Sequence, residues 1–509
     1  MTRSTSISTS TTELPQWPLK PTKVSSSTIY TVHSAHKSAP SLTSSTSSLS
    51  SSTKRIDIKR APLFIPHSVS SWSLGRHFPI TNPTEARDRY GFRTQTQYIS
   101  SAEYDEWATD YDHYCRHRRR KWDSLIRHAR IPLDHDRVPT RFPAKSRTLK
   151  RYVRKGIPPD WRGAAWFWFA NGPQYLDSNP GLYDRLAHDG VTNPPPDSDS
   201  IERDLHRTFP DNIHFRASDA FNSVPSTPGS GSGSGSGSRR NSIAPETPVV
   251  QALRRVLYAF SLYVPKTGYC QSLNFIAGLL LLFMPEEHAF WTLVVITQKY
   301  LPHMHEFNLE GANVDQAVLM LSLKDAIPAV YAKIAPDVKS DQELVTKLPP
   351  ITLCTASWFM SAFIGILPIE SVLRIWDCFF YDDSKVFFRI ALTILKLCEP
   401  QIIASTESSE IFQIVQTWPK HLLDPNALMH ACFKRDNGFG HLSQLQIIER
   451  RKYVTEKRKA VVTTPTTTNI DVQLTTKAGK QMQALRIGTT NMLSLNASDD
   501  YFTKSHDMP

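Results

Sequence analysis

Residues 201–210 place an arginine beside a carboxylate at the end of a short helical segment. Their sequence is I-E-R-D-L-H-R-T-F-P, in which Asp204 and Arg207 are three residues apart and therefore neighbours on a helix. Phe209 precedes a proline, which disfavours helical geometry, so we expect the helix to end near Arg207. An arginine there can extend a planar, permanently charged group towards a phosphate. The same spacing also fits an ordinary surface ion pair worth roughly 0.2–0.5 kcal/mol.

A second segment, residues 268–278, carries an amide suited to orienting a water molecule. Its sequence, G-Y-C-Q-S-L-N-F-I-A-G, runs from a turn into an apolar stretch, so Gln271 lies near the predicted start of a buried helix. A glutamine amide both donates and accepts hydrogen bonds, as a group that positions a nucleophilic water in phosphoryl transfer must do. The alternative is structural, with Gln271 and Asn274 satisfying backbone groups at the helix entrance.

Together with further motifs, these segments resemble the TBC-domain family, GTPase-activating proteins for Rab-type small GTPases. Residues 201–210 match the family pattern I-x-x-D-x-x-R-T-F-P, and residues 268–275 match G-Y-x-Q-x-x-N-F. The family's W-F, L-P and R-x-W-D patterns are matched by Trp358-Phe359, Leu367-Pro368 and Arg374-Ile375-Trp376-Asp377. Its domain entrance is matched by Gly156-Ile157-Pro158-Pro159 with Arg162, Gly163 and Trp166. The resemblance covers residues 148–440 and implies an all-α, multi-helix TBC domain.

The resemblance also implies roles for individual residues. Arg207 would neutralise charge developing on the γ-phosphate of GTP, and Gln271 would orient the water in place of the GTPase's own glutamine. Asp204 would anchor Arg207, while Tyr269 and Asn274 would shape their segment and contact the switch regions of the GTPase. The residues given structural roles are Ile201, Arg162, Trp166, Trp358, Arg374, Trp376 and Asp377.

Two local features qualify the match. Ser272-Leu273 follow the glutamine where the family commonly has Gly-Met, and Asp382-Asp383 replace a common Glu-Gly. Both departures bear on partner choice rather than on activity. Arg374 and Asp377 are three apart on a predicted helix, which favours a structural helix pair.

Apolar runs of helical length and periodicity support the all-α fold, because no period-two strands separate them. These runs are 251–264, 273–284, 290–300, 314–323, 369–380 and 386–397. The predicted organisation is a disordered Ser/Thr-rich tail at 1–60, a partly helical pre-domain segment at 61–147, the TBC domain at 148–440 with a flexible Gly/Ser-rich insertion at 223–248, a basic helix at 441–459, and a disordered tail at 460–509.

Composition indicates a cytoplasmic protein. The six cysteines include no C-x-x-C pair, which favours neither a zinc site nor a disulfide framework. The apolar run at 275–283 is too short to cross a bilayer, so any membrane contact would be peripheral, on endomembranes. His303 and His305 lack the i, i+4 spacing of a helical zinc site. We expect no metal or organic cofactor in this chain, because magnesium and GTP belong to the partner GTPase.

The sequence thus predicts a GTPase activator acting in trans on GTP-bound Rab proteins in vesicle trafficking, rather than a stand-alone hydrolase. The alternative is a non-catalytic Rab-binding or membrane-tethering adaptor. A net charge of +12 also raises nucleic-acid binding, but no nucleic-acid module is recognisable. The basic run at 116–121 favours a solvated helix face, with contact to an anionic membrane as the alternative. Ser242 follows two arginines closely and is a candidate phosphorylation site.

Overall fold

The computed structural model describes residues 86–216 and 246–463. These residues are helical and contain no β-strand beyond two isolated bridges, so the predicted all-α fold is confirmed. The helices are α1 (Ser101–His128), α2 (Arg147–Arg154), α3 (Arg162–Phe169), α4 (Gly172–Ser178), α5 (Leu182–Thr192), α6 (Ser198–Leu205), α7 (Pro248–Tyr263), α8 (Leu273–Leu281), α9 (Glu286–Val295), α10 (Glu310–Ala326), α11 (Pro328–Ile334), α12 (Asp341–Thr346), α13 (Thr352–Met360), α14 (Ile369–Asp382), α15 (Lys385–Leu397), α16 (Glu399–Ala404), α17 (Ser408–Thr417), α18 (Pro425–Phe433) and α19 (Gln444–Thr463).

Side-chain caps fix where several helices begin. The Ser100 hydroxyl accepts a hydrogen bond from the backbone N–H of Glu103 at the start of α1. Thr247 does the same for Val250 at the start of α7, whose first residue is Pro248. Such caps satisfy backbone donors that have no partner inside the helix, and proline suits the first helical position. Pro248, the last residue of the predicted insertion at 223–248, is therefore the first residue of a helix.

Helices α8 and α14 are buried along almost their whole length. Residues 273–280 of α8 are all buried, as are residues 370–382 of α14. A helix that is enclosed on every side is packed by neighbouring helices all round, and any charged group it carries needs a partner. α14 carries four such groups, Glu370, Arg374, Asp377 and Asp382.

Glu370 is the centre of a buried charge network. Its carboxylate lies 3.1 Å from Arg162 Nη1 and accepts hydrogen bonds from the hydroxyls of Tyr90 (3.1 Å) and Tyr111 (3.2 Å). Burial raises the pKa of Glu370, but the guanidinium groups of Arg162 and Arg89 outweigh it and hold the pKa below its ordinary value. Glu370 is therefore a buried, paired carboxylate.

Arg374 and Asp377 find their hydrogen-bond partners on other elements. Asp377 accepts hydrogen bonds from the backbone N–H of Ile157 (3.0 Å) and from the indole N–H of Trp166 (2.9 Å). Arg374 donates to Asn426 Oδ1 at 3.0 Å and to the Tyr111 hydroxyl at 3.2 Å. The predicted helix pair therefore makes its hydrogen bonds to other elements, while the charges of Arg374 and Asp377 still act on each other.

The segment before residue 148 shares this core. On α1, Trp122 is fully buried and its indole N–H donates to the carbonyl of Gly156 at 2.8 Å. Gly156 itself has φ +98, and an added Cβ would lie 2.8 Å from the Arg374 guanidinium. The boundary predicted at residue 148 therefore divides residues that pack against one another.

The basic run on α1 is only partly solvated. Arg118 is buried and donates to the carbonyl of Tyr152, while the Arg119 guanidinium lies 4.4 Å from the centre of the Trp161 ring. Both arginines thus pack α1 against the domain. The exposed residues of the run are Arg116, His117, Arg120 and Lys121.

Helix α19 is held by arginine–carboxylate pairs to α10. Arg451 forms a bidentate contact with Asp315 at 2.6 and 2.7 Å, and Arg458 forms one with Glu310 at 2.7 and 3.0 Å. The helix extends to Thr463, beyond the predicted start of the tail at residue 460. The predictions for the rest of both tails and the insertion, including Ser242, lie outside the described residues. In the part of the chain that is described, no helix is long and apolar enough to cross a membrane.

Buried histidine should make the fold sensitive to acid. Burial lowers the pKa of His305 to about 4, although its Nε2 donates to the Met360 carbonyl at 2.9 Å. Because the folded pKa lies below the ordinary 6.5, His305 supports the folded state above that pH and loses this contribution as the pH falls towards 4. We expect the free energy of unfolding to drop by up to roughly 3 kcal/mol over this window from His305 alone.

Chemical denaturation between pH 7.5 and pH 4.5 tests this expectation. His305→Gln keeps a donor for Met360 but does not titrate, so its stability should depend less on pH than that of the wild type. His117→Gln on the exposed face of α1 should leave the dependence unchanged. Equal slopes for the wild type and His305→Gln would contradict the assignment.

Candidate functional site

Arg207 lies just beyond the end of α6, which finishes at Leu205, two residues earlier than predicted. The backbone N–H of Arg207 still donates to the Asp204 carbonyl at 3.2 Å, and Phe209 turns the chain with φ +49. The Arg207 side chain is 53% exposed. The chain direction therefore leaves this guanidinium accessible to a partner.

Asp204 contacts Tyr269 more closely than it contacts Arg207. The Tyr269 hydroxyl donates to Asp204 Oδ2 at 2.8 Å, whereas Arg207 Nη1 lies 3.8 Å from Oδ1. Burial raises the pKa of Asp204, and the Tyr269 hydrogen bond and the Arg207 charge oppose this shift. Asp204 thus joins the two candidate segments and holds Arg207 only loosely.

Asn274 makes the second link between the segments. Its amide nitrogen donates to Thr208 Oγ1 at 2.9 Å, and its amide oxygen accepts from the Ser272 N–H at 3.1 Å. Tyr269 and Asn274 bracket Gln271, just as Asp204 and Thr208 bracket Arg207. Two hydrogen bonds therefore join the two segments, one on either side of the candidate residues. They connect positions that are 65 and 66 residues apart in the chain.

Tyr269 and Asn274 are 8% and 1% exposed. Both side chains pack inside their segment, and their expected contact with a GTPase stays a prediction. Gln271 is half-buried at the surface of its segment. The seven residues given structural roles are all buried, namely Ile201, Arg162, Trp166, Trp358, Arg374, Trp376 and Asp377.

Asp197 also positions the Gln271 segment, and the sequence analysis missed it. Its Oδ2 accepts from the Tyr269 N–H at 2.8 Å and from the Ser261 hydroxyl at 3.0 Å. At Gly268, with φ +56, an added Cβ would lie 2.5 Å from the same oxygen. An aspartate at the N-cap of α6 is expected to cap its own helix, so the sequence gives no signal for this longer contact.

Ser272 occupies a backbone conformation that favours glycine. Its φ is +97 and its buried hydroxyl has no hydrogen-bond partner among the described residues. A non-glycine residue held in a sparsely populated region costs of order 1–3 kcal/mol. This position is the one where the family commonly has glycine, and the positive φ supplies the reason.

Ser272→Gly should therefore raise the free energy of unfolding by about 1 kcal/mol. Ser361→Gly is the matched control, because the Ser361 hydroxyl is also buried without a partner but its φ is −90. Denaturant titration of both variants measures the difference. A destabilised Ser272→Gly would contradict the assignment of strain.

Arg207 lies at the edge of a cleft of about 400 Å³. Its lining includes residues 92–99, upstream of the predicted domain, and residues 364–370. Phe209 and Phe275 also line the cleft and contact each other edge to face, with ring centroids 5.6 Å apart. The surface of the cleft beside Arg207 is thus mainly apolar.

The described residues contain no group of three or more His, Cys, Asp or Glu side chains arranged to hold a metal ion. The geometry instead offers an accessible guanidinium on one segment and a side-chain amide on a second segment, and the two segments are joined through Asp204 and Thr208. These groups can neutralise phosphate charge and orient a water molecule on a ligand brought by another protein.

Comparison with known proteins identifies the family. The GTPase-activating protein MSB4 of Saccharomyces cerevisiae is 40% identical over 423 residues, which are 73% of this chain and 81% of MSB4. A model of the Rab-GTPase-TBC domain matches residues 237–403. The chain belongs to the TBC-domain family. This membership confirms the resemblance that the sequence motifs of this TBC protein indicated.

Two further matches describe the extent of the likeness. The GTPase-activating protein GYP3 of the same yeast is 44% identical over 425 residues, and the TBC protein spans 64% of GYP3's length. The crystal structure of the Chlamydomonas flagellar RabGAP TBC domain shares the fold, with a TM-score of 0.50 at 22% identity, covering 69% of this chain and all of that domain. The family-model match includes Gln271 and begins after Arg207.

Proposed function

We propose that this protein accelerates GTP hydrolysis by a Rab-family small GTPase, supplying Arg207 and Gln271 in trans. The observation that carries the proposal is the pair of hydrogen bonds, Tyr269 to Asp204 and Asn274 to Thr208, on either side of these two residues. They tie an accessible arginine and a surface glutamine to one buried support. Membership of the family and the printed names of the two yeast relatives support the same function.

The proposed chemistry divides between the partners. The GTPase brings GTP and its magnesium ion, and this chain supplies no cofactor. The Arg207 guanidinium compensates the charge that spreads over the γ-phosphate and the leaving oxygen as the bond breaks. The Gln271 amide accepts from and donates to the attacking water and holds it in line. Asp204 limits where the arginine backbone can lie through its contact with Tyr269.

Phosphate release from a panel of GTP-loaded Rab proteins tests the proposal. Stimulation of one or a few Rabs at catalytic amounts of this protein would support it. Binding of a GTP-loaded Rab without any stimulation would instead favour the non-catalytic, tethering adaptor. Failure of both binding and stimulation across the panel would remove the proposal.

A Rab activator working in vesicle trafficking acts where the GTPase is anchored, so we propose a cytoplasmic protein that is peripheral on endomembranes. The exposed cations Arg116, Arg120 and Lys121 on α1 are the described groups that support contact with anionic lipid. Each juxtamembrane cation contributes about 1 kcal/mol of attraction. Reversing the three charges to Glu should weaken co-sedimentation with phosphatidylserine vesicles at least tenfold, with little binding to phosphatidylcholine vesicles before or after.

The matched control reverses three exposed cations elsewhere, Arg185, Lys339 and Lys347. This variant has the same net charge as the α1 variant, so it separates a local surface from general attraction. Equal losses for the two variants would show that net charge alone drives the contact, and an unchanged α1 variant would exclude this helix as the membrane surface.

A further inference from the structure

Phe307 is an unusually exposed aromatic residue in the loop between the π-helix Ile296–Tyr300 and α10. Its exposure of 81% is the highest among the large hydrophobic residues that the structure describes as exposed. Single exposed apolar residues are common on protein surfaces, so exposure alone assigns no role to Phe307. The two residues before it, His305 and Glu306, supply the further observations.

The loop is held in place on both sides of Phe307. The buried His305 ring bonds to the Met360 carbonyl at 2.9 Å, and the Leu309 N–H donates to the Glu306 carbonyl at 2.8 Å. An aromatic residue on a fixed loop loses little conformational entropy when a partner covers it. Phe307 therefore has the properties of an interface anchor, since hot spots are enriched in rigid aromatic side chains.

The same loop is attached to the segment that carries Gln271. Glu306 Oε1 lies 2.9 Å from Lys266 Nζ, and the ammonium of Lys266 lowers the pKa of Glu306 against the opposing effect of burial. Lys266 belongs to a turn in which the Gly268 N–H donates to the Val264 carbonyl at 2.8 Å. That turn leads directly into Tyr269 and Gln271. Phe307 follows Glu306 in the chain, so this ion pair links its loop to the turn that precedes the candidate glutamine.

We propose that Phe307 is a contact residue for the GTP-bound small GTPase and helps to determine which GTPase is accepted. This inference rests on the proposed function, because a partner that delivers GTP to Gln271 must approach the surface next to it. The partner surface that fits Phe307 is apolar and free of unpaired charge, since a benzyl group offers no hydrogen bonds. Phe307 acts on binding and orientation, and it takes no part in the chemistry.

The test compares Phe307→Ser with the wild type on the GTPase that the wild type binds best. KM for the GTP-loaded partner should rise about tenfold or more while kcat changes less than twofold, because the lost contact is present in both the bound and the transition state. Phe307→Leu should restore most of the affinity. Leu445→Ser on α19, where Leu445 is 63% exposed, is the matched control and should leave KM unchanged.

Direct binding of the GTP-loaded partner, measured alongside hydrolysis, separates this inference from the proposed function. A wild type that binds without stimulating defeats the activator proposal, and a tenfold weaker Phe307→Ser would then still support the contact. A wild type that stimulates together with an unchanged Phe307→Ser overturns the contact alone. A wild type that neither binds nor stimulates any small GTPase overturns both.

Discussion

Arg207→Ala should lower the stimulated rate of GTP hydrolysis by about 10³-fold or more, because an arginine supplied in trans is worth about 10³–10⁵ in kcat. Arg207→Lys should recover little of this loss, since lysine lacks the planar fork that contacts two phosphate oxygens. Gln271→Ala should reduce the rate comparably by leaving the attacking water unaligned. Single-turnover phosphate release with saturating activator measures all three variants.

The matched control for this experiment is Arg203→Ala. Arg203 is exposed on α6, one turn before Arg207, and donates to Ser200, so its loss removes the same charge at a neighbouring position and leaves Arg207 and Gln271 in place. Circular dichroism should show that every variant remains folded. If a folded Arg207→Ala variant stimulated hydrolysis at the wild-type rate, the proposed catalytic role of Arg207 would be wrong.

A chain that begins at residue 148 should fail to fold, whereas one that begins at residue 86 should fold normally. The shorter chain lacks Trp122, which is fully buried, and the two tyrosine hydroxyls that donate to Glu370. Stripping partners from a buried charge costs several kcal/mol, and lost core packing adds to it. Since domains are stable by only about 5–15 kcal/mol, the deficit is of the same size as the whole stability.

Thermal melting and limited proteolysis of the two chains measure the difference. A single substitution provides a milder test, because Trp122→Ala should cost about 3–5 kcal/mol. Trp107→Ala on the same helix is the control and should cost less, since Trp107 is only partly buried. Cooperative unfolding of the chain from residue 148, at a temperature close to that of the longer chain, would contradict the expectation.

The helices and the two candidate residues could be predicted from local patterns. Apolar periodicity depends on neighbours three and four residues apart, and each predicted apolar run overlaps a helix, although the run 273–284 extends past the end of α8 and the run 290–300 past the end of α9. Arg207 and Gln271 lie in short motifs, so their identity needed no knowledge of the fold. The roles of both remain predictions.

The supporting contacts could not be predicted, because they join distant parts of the chain. Tyr90 and Glu370 are 280 residues apart, and Asp197 and Tyr269 are 72 apart. Nothing in the local sequence distinguishes such partners from other tyrosines and aspartates. The strain at Ser272 is equally hidden, since a serine carries no sign of a positive φ.

The buried network around Asp377 has a consequence for how members of the family are recognised. Its partners, Ile157 and Trp166, and its neighbours in the R-x-W-D motif belong to the patterns that make the chain identifiable, and all of them are internal. Natural selection for a folded protein alone would preserve them. A relative that had lost both Arg207 and Gln271 would therefore still be found by the same motifs, as a pseudoenzyme. If Arg207 and Gln271 act as proposed, these two surface positions would distinguish an activator from such a descendant.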